Sequence, residues 1–370
     1  MKTKEVIERV MGLDLSKYPF NEIKTLINEF DSYPYKSFVN DLQKARISSA
    51  KYQYECCLPG CKQKALKHSH IIPQCVLKKY ICKSKHKLLQ NVIDEIHPMS
   101  VRDTGELPLD KFQTLGIEQA MSMPIFCKEH DNGLFDVYEK NADSIEPEDR
   151  KFQVLQSLRA IGALRLQNLK LLVENNVKQG LNDFYKGGVF DEELEGCKYL
   201  LRRQDASITR LYESICNDDF NHYYFTCIEL NYIGLAVCDA LVDEGDLAMY
   251  CESDVYSEPL KILYVHLLPK GNHSYLILGY DTRSVADQQK MQLVNWAKAL
   301  DKRTDLKVIY DILCHCSNNW CISPDCDEKI IQYLEQNYSS DKMDVMLGEC
   351  LDIEGLLHNS VDKNVKLYLY

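Results

Sequence analysis

Two short runs of soft metal donors are the residues of this chain best suited to chemistry: Cys56-Cys57-Leu58-Pro59-Gly60-Cys61 and Cys127-Lys128-Glu129-His130. A structural zinc ion needs four soft or borderline donors, usually presented as two pairs, each close enough in sequence for one turn to converge both side chains. In the first run Pro59-Gly60 supplies the central dipeptide of a tight turn, which folds Cys61 back toward Cys56 or Cys57. In the second, the two-residue spacing suits the first turn of a helix running on through Leu134, Phe135 and Val137. The pattern therefore predicts a Cys₃His zinc site made of Cys56 or Cys57, Cys61, Cys127 and His130.

Between the pairs lies His68-Ser69-His70-Ile71-Ile72-Pro73. Here the sequence resembles the HNH (ββα-metal, or His-Me finger) endonuclease superfamily, in which a zinc knuckle is followed by (Asp/His/Glu)-His-Ile-x-Pro and then by a second donor pair opening a helix. The resemblance covers about 85 residues, from Cys56 to Lys140, and the run Phe126-Cys127-x-x-His130-Asp131-Asn132-x-Leu134-Phe135 is similar to a divergent bacterial group, several of whose members are associated with phage defence. It implies a zinc-bound treble-clef module and a metal-dependent nuclease that hydrolyses phosphodiester bonds in DNA or RNA, as an antiviral effector. His70 would be the general base, because a neutral imidazole titrates near physiological pH. Asp131 would hold a catalytic Mg²⁺ or Mn²⁺, with Asn132 as the alternative ligand. Ser69 stands where the family usually has its other metal ligand, and His68 is the nearest substitute. The residue that often orients the base, an Asn shortly before the second pair, is missing, and Asn91 is the nearest candidate. The alternative reading is a non-catalytic zinc-stabilised module that binds nucleic acid or protein.

Charge points to the same segment. The chain has 370 residues and a formal net charge of −11. Yet positions 44–90 carry eleven Lys or Arg against the single acid Glu55, leaving the rest strongly acidic. Clustered lysines favour phosphate binding because they release condensed counterions. Lys67, Lys78, Lys79 and Lys83 are the residues expected to grip nucleic acid, DNA first. The sixteen cysteines are spread thinly, without an export signal, so they read as reduced thiols in the cytoplasm. No apolar run approaches the roughly 18 residues needed to cross a bilayer. Cys314, His315, Cys316, Cys321 and Cys326 could form a second zinc site, but Leu313, Trp320 and Ile322 among them suggest thiols filling a core; Cys75 and Cys82 are likewise read as packing residues. No Gly-rich phosphate loop and no nucleophile elbow is present.

The elements that must position these residues give an α+β fold class. Residues 1–50 form a helical cap, with helices over 4–12 and 21–44. Residues 51–140 form the zinc module, interrupted near 97–124 by a polar insertion or long loop. Residues 141–219 are helical: Pro147 and acids near 143–149 start a helix whose stripe runs Phe152, Leu155, Leu158, Ile161, Leu164, Leu169, Leu172, and a second helix covers 191–216. Residues 220–370 form an α+β unit with an antiparallel sheet. Its strands fall at 223–230, 235–242, 262–268 and 275–280, the last two joined by Lys270-Gly271-Asn272, and its helices at 285–300, 306–313 and 327–337. Residues 141–370 show no chemistry of their own, which fits regulation, sensing, or assembly with a protein partner or further copies.

Overall fold

A computed structural model describes residues 35–82, 87–91, 112–187, 189–242, 258–284 and 319–337. The first described helix, α1 (Tyr35–Lys51), follows Pro34 in the sequence and runs seven residues past the expected end at 44. The expected helix at 4–12 and the start of the second lie outside the described residues.

Strand β1 (Ser69–His70) leads through Pro73 into a short helix, α2 (Gln74–Val76), which continues as a π-helical turn over Leu77–Ile81. Next come β2 (Lys87–Asn91), β3 (Phe112–Gly116) and β4 (Ser122–Met123). β4 returns to pair antiparallel with β1, His70 opposite Ser122. Helix α3 (Lys128–Glu139) follows, with Cys127 as its N-cap. The stretch expected as an insertion near 97–124 is therefore strand in two places. Its apolar residues find partners far away in sequence: the Phe112 ring packs 5.3 Å from Trp320, and Leu115 packs against the main core.

Two long helices form the centre. Asp149 caps α4 (Arg150–Leu181) by accepting from the Lys151 amide at 3.0 Å. Every residue from Phe152 to Ala163 is buried, so this half of α4 is enclosed on all sides, as a helix inside a core must be. The expected leucine stripe is only part of what it buries, since Gln153, Gln156, Ser157 and Arg159 go in with it. α5 (Val189–Cys216) packs alongside.

A seven-stranded sheet completes the fold. To β2 and β3 it adds β5 (Tyr223–Asn231), β6 (Leu235–Val242), β7 (Ile262–Lys270), β8 (His273–Asp281) and β9 (Trp320–Ile322), in the order β3-β2-β9-β6-β7-β8-β5. All its neighbouring pairs are antiparallel. The pleat sorts alternate residues into two cores. Ala236, Cys238, Ala240 and Tyr264 face α4 and the Cys/His module, whereas Leu235, Val237, Leu241 and Val265 pack with Ile330 and Leu334 of α6 (Glu328–Asn337). Because β2 and β3 belong to this sheet, the stretches expected as separate units at 51–140 and 220–370 share one hydrogen-bonded layer. Among the described residues no helix is long and apolar enough to cross a membrane. The helices expected at 285–300 and 306–313 lie outside the described residues.

Candidate metal centre and adjoining site

Two donor pairs distant in sequence meet because their flanking backbones pair. The Cys57 amide donates to the Ile125 carbonyl at 2.9 Å and the Leu66 amide to the Phe126 carbonyl at 2.7 Å, so the knuckle lies against the segment that leads into Cys127. Within the knuckle, Cys61 N donates to Leu58 O at 3.2 Å across Pro59-Gly60, with Gly60 at φ +73°. Proline first and a left-handed glycine second is the requirement of a type II turn. The result brings Cys56 Sγ, Cys61 Sγ, Cys127 Sγ and a ring nitrogen of His130 within 4.8 Å of one another. His130 Nδ1 lies 3.2 Å from Cys127 Sγ and 3.5 Å from Cys56 Sγ, and Cys61 Sγ lies 3.9 Å from Cys127 Sγ. Tyr212 of α5 stands edge-on to the His130 ring at 6.1 Å.

This set can hold a metal ion such as zinc, since three thiols and one imidazole match its preferred donors. Of the two adjacent cysteines the cluster takes Cys56; Cys57 turns toward α4, where its Sγ lies 3.5 Å from the position a Cβ on Gly162 would occupy. Burial pushes the Cys56 thiol up to about 12; the Leu58 and Cys127 amides oppose this, and the neighbouring Cys127 and Cys61 thiols add to it. A cation bound among these sulfurs would offset that cost.

The adjoining site is built on β1, β4 and the first turn of α3. Ser69 is fully buried and donates its hydroxyl to Asp131 Oδ1 at 2.5 Å. Asp131 sits in the first turn of α3, where the helix dipole favours a carboxylate. His70, the next residue along β1, donates Nε2–H to the Ile117 carbonyl at 3.0 Å. A carbonyl only accepts, so the neutral ring carries its proton on Nε2 and keeps the Nδ1 lone pair available. Burial lowers the pKa of His70; the Ile117 carbonyl, Glu139 and Asp131 pull it up, and Arg159 pushes it down. Burial thus favours the neutral ring.

The other expected site residues are arranged less tightly. His68 is exposed, with Nδ1 3.2 Å from Ser122 Oγ across the β1–β4 pair, and no hydrogen bond joins His68 or His70 to Asp131. Lys67 and Lys78 are exposed, Lys78 donating to Gln74 Oε1 at 2.8 Å, while Lys79 is ion-paired with Asp143. Lys83 lies outside the described residues. Asn91 pairs with Phe112 in the β2–β3 ladder, and the orienting contact on His70 comes instead from the Ile117 main chain, which carries no residue-type signal. The turn that presents β4 was equally hidden in the sequence. Met121 is buried at φ +50°, its amide taken by Gln90 Oε1 at 2.8 Å and its carbonyl by the Ile71 amide at 2.8 Å. Cys321 is fully buried in β9 and Cys326 Sγ donates to the Ile233 carbonyl at 3.5 Å, both packing roles; Cys314, His315 and Cys316 lie outside the described residues. Cys82 is buried, and Cys75 donates to the Tyr138 carbonyl at 3.1 Å. Among the described residues the Cys56/Cys61/Cys127/His130 group is the one Cys/His cluster with metal-ligand geometry. No family model, curated protein or solved structure matches the chain.

Proposed function

We propose that this chain is a metal-dependent phosphodiesterase of HNH type acting on DNA or RNA, with zinc at the Cys₃His cluster and the reaction beside it at His70 and Asp131. One observation carries the reading: a partly buried imidazole held by its Nε2–H lies on the short β1–β4 strand pair next to a metal-type cluster, whose last donor, His130, immediately precedes Asp131. The antiparallel β1–β4 pair and α3 are read as the ββα core of a treble clef. In this role His70 takes a proton from water at Nδ1, while the Ile117 carbonyl keeps the ring from rotating. Asp131 offers a carboxylate that suits Mg²⁺ or Mn²⁺ completed by phosphate oxygens and water, and the buried Ser69 hydroxyl orients it. A bound divalent ion supplies charge stabilisation at the scissile phosphate. Lys67, Lys78, Lys79 and Lys83 are assigned to the phosphate backbone.

The Ser69–Asp131 hydrogen bond also favours a second reading, in which the carboxylate is satisfied internally and the module only binds. Nicking of supercoiled plasmid and cleavage of single-stranded DNA and RNA with Mg²⁺ or Mn²⁺ separates the two. Wild type should cleave, and His70→Ala should lose on the order of a hundredfold or more in rate while keeping its zinc and melting temperature. Equal cleavage by both would remove His70 as the base. Salt-sensitive binding without cleavage would establish the non-catalytic reading.

A further inference from the structure

Gln156, Arg159 and Gly162 recur every third residue on α4 and so share one face of the helix. Each meets a different piece of the candidate site. The Gln156 side-chain amide donates to the carbonyl of Ile71, the residue after His70, and also to Cys238 Sγ on β6 at 3.0 Å. Arg159, 2% exposed, donates to Glu139 Oε1 at 2.5 Å, with its guanidinium 4.0 Å from the centroid of the Phe135 ring. The other oxygen of Glu139 accepts from the Gln74 amide at 2.8 Å, which ties the end of α3 to the segment following β1. At Gly162 an added Cβ would lie 2.6 Å from Ile125 Cγ2, so α4 reaches the segment before Cys127 only because no side chain stands there.

An apolar helix face would pack here without the desolvation cost of a buried guanidinium and a partly buried carboxylate. What the polar groups add is direction, because each bond fixes one backbone segment relative to α4. We infer that Gln156 and Arg159 are positioning residues: they hold the strand bearing His70 and the helix bearing Asp131 in one relative geometry, and Gln156 ties that geometry to the seven-stranded sheet. The positioning role rests on the nuclease reading; the clamp itself does not.

The test uses the full chain carrying Gln156→Leu or Arg159→Lys, followed by zinc content, hydrogen–deuterium exchange and cleavage kinetics. Zinc should stay at about one per chain. Exchange of peptides covering 69–76 should speed up by about tenfold or more while those of β6–β8 stay protected. Cleavage should lose on the order of a hundredfold in kcat with KM within about twofold, since misplacement of reacting groups acts on the chemical step. Unchanged exchange at 69–76, or equal acceleration across the whole chain, would overturn the clamp. Faster local exchange with an unaltered kcat would overturn the positioning role. Should Arg159→Lys fail to fold, Gln156→Leu still decides the matter, because it removes one donor from a site of similar volume. If wild type cleaves nothing, the nuclease reading fails by itself, and the exchange result still decides the clamp.

Discussion

The metal cluster and the site next to it are made in different ways. Cys56, Cys61, Cys127 and His130 supply every donor of the cluster from side chains, on two local motifs joined by a few backbone hydrogen bonds. The His70–Asp131 site draws on the Ile117 carbonyl, a left-handed Met121, the buried Ser69 and, through Arg159 and Gln156, a helix that begins eleven residues after α3 ends. A tetrahedral cluster can be assembled from short loops because the metal itself organises the donors. His70 and Asp131 are held instead by a main-chain carbonyl and a buried hydroxyl, so the surrounding fold must place them.

The largest effect expected from this contrast is on the cluster. Cys127→Ser should release the metal and cost on the order of 5 kcal/mol, because metal binding at a closed site is coupled to folding. Elemental analysis with a thermal or denaturant midpoint checks this, and an unchanged midpoint after metal loss would show that the packed core alone supports the module. A smaller effect concerns the buried imidazole of the sheet. His266 on β7 is fully enclosed, with Nε2 3.3 Å from Ser157 Oγ and no partner for Nδ1, and burial drags its pKa from 6.5 to about 3. A depressed folded pKa means that the unfolded chain binds the proton first. The stability it contributes is present above pH 6.5 and is lost as pH falls toward 3, at about 1.4 kcal/mol per unit. Denaturant unfolding at pH 7 and pH 5 should thus show wild type losing about 2 kcal/mol more than His266→Gln, from this group alone. Parallel losses would mean that His266 is solvated. The smallest effect concerns the neighbouring thiols: Cys57→Ala should keep the metal and cost about 1 kcal/mol of packing, whereas Cys56→Ala should lose the metal. Metal loss from Cys57→Ala would reverse the assignment.

Several elements were legible for identifiable reasons. The strands at 223–231, 235–242, 262–270 and 273–281 are runs of β-branched and aromatic residues with a short Gly-Asn loop between the last two, and each was expected within two residues of where it lies. The helix after Pro147 carried its own cap in Asp149. Strand β3 was not legible, because the partly buried Phe112 and Leu115 pack against Trp320 and the core across a long sequence gap, and no local pattern reports that. The choice between Cys56 and Cys57 was equally closed to spacing. In the fold Cys57 lies against α4 near Gly162, and Cys56 joins the cluster.

The sequence alone determined which residues could bind a soft metal, because ligand chemistry and tight-turn preferences are local properties of Cys, His, Pro and Gly. It also carried the strand and helix periodicities, which are local in the same sense. Only the tertiary structure decided that the Ile117 carbonyl holds His70, that Ser69 meets Asp131, and that the buried Arg159 pairs with the partly exposed Glu139. These contacts involve main-chain groups, or charges whose burial depends on every element packed around them, and neither leaves a mark in residue type or spacing.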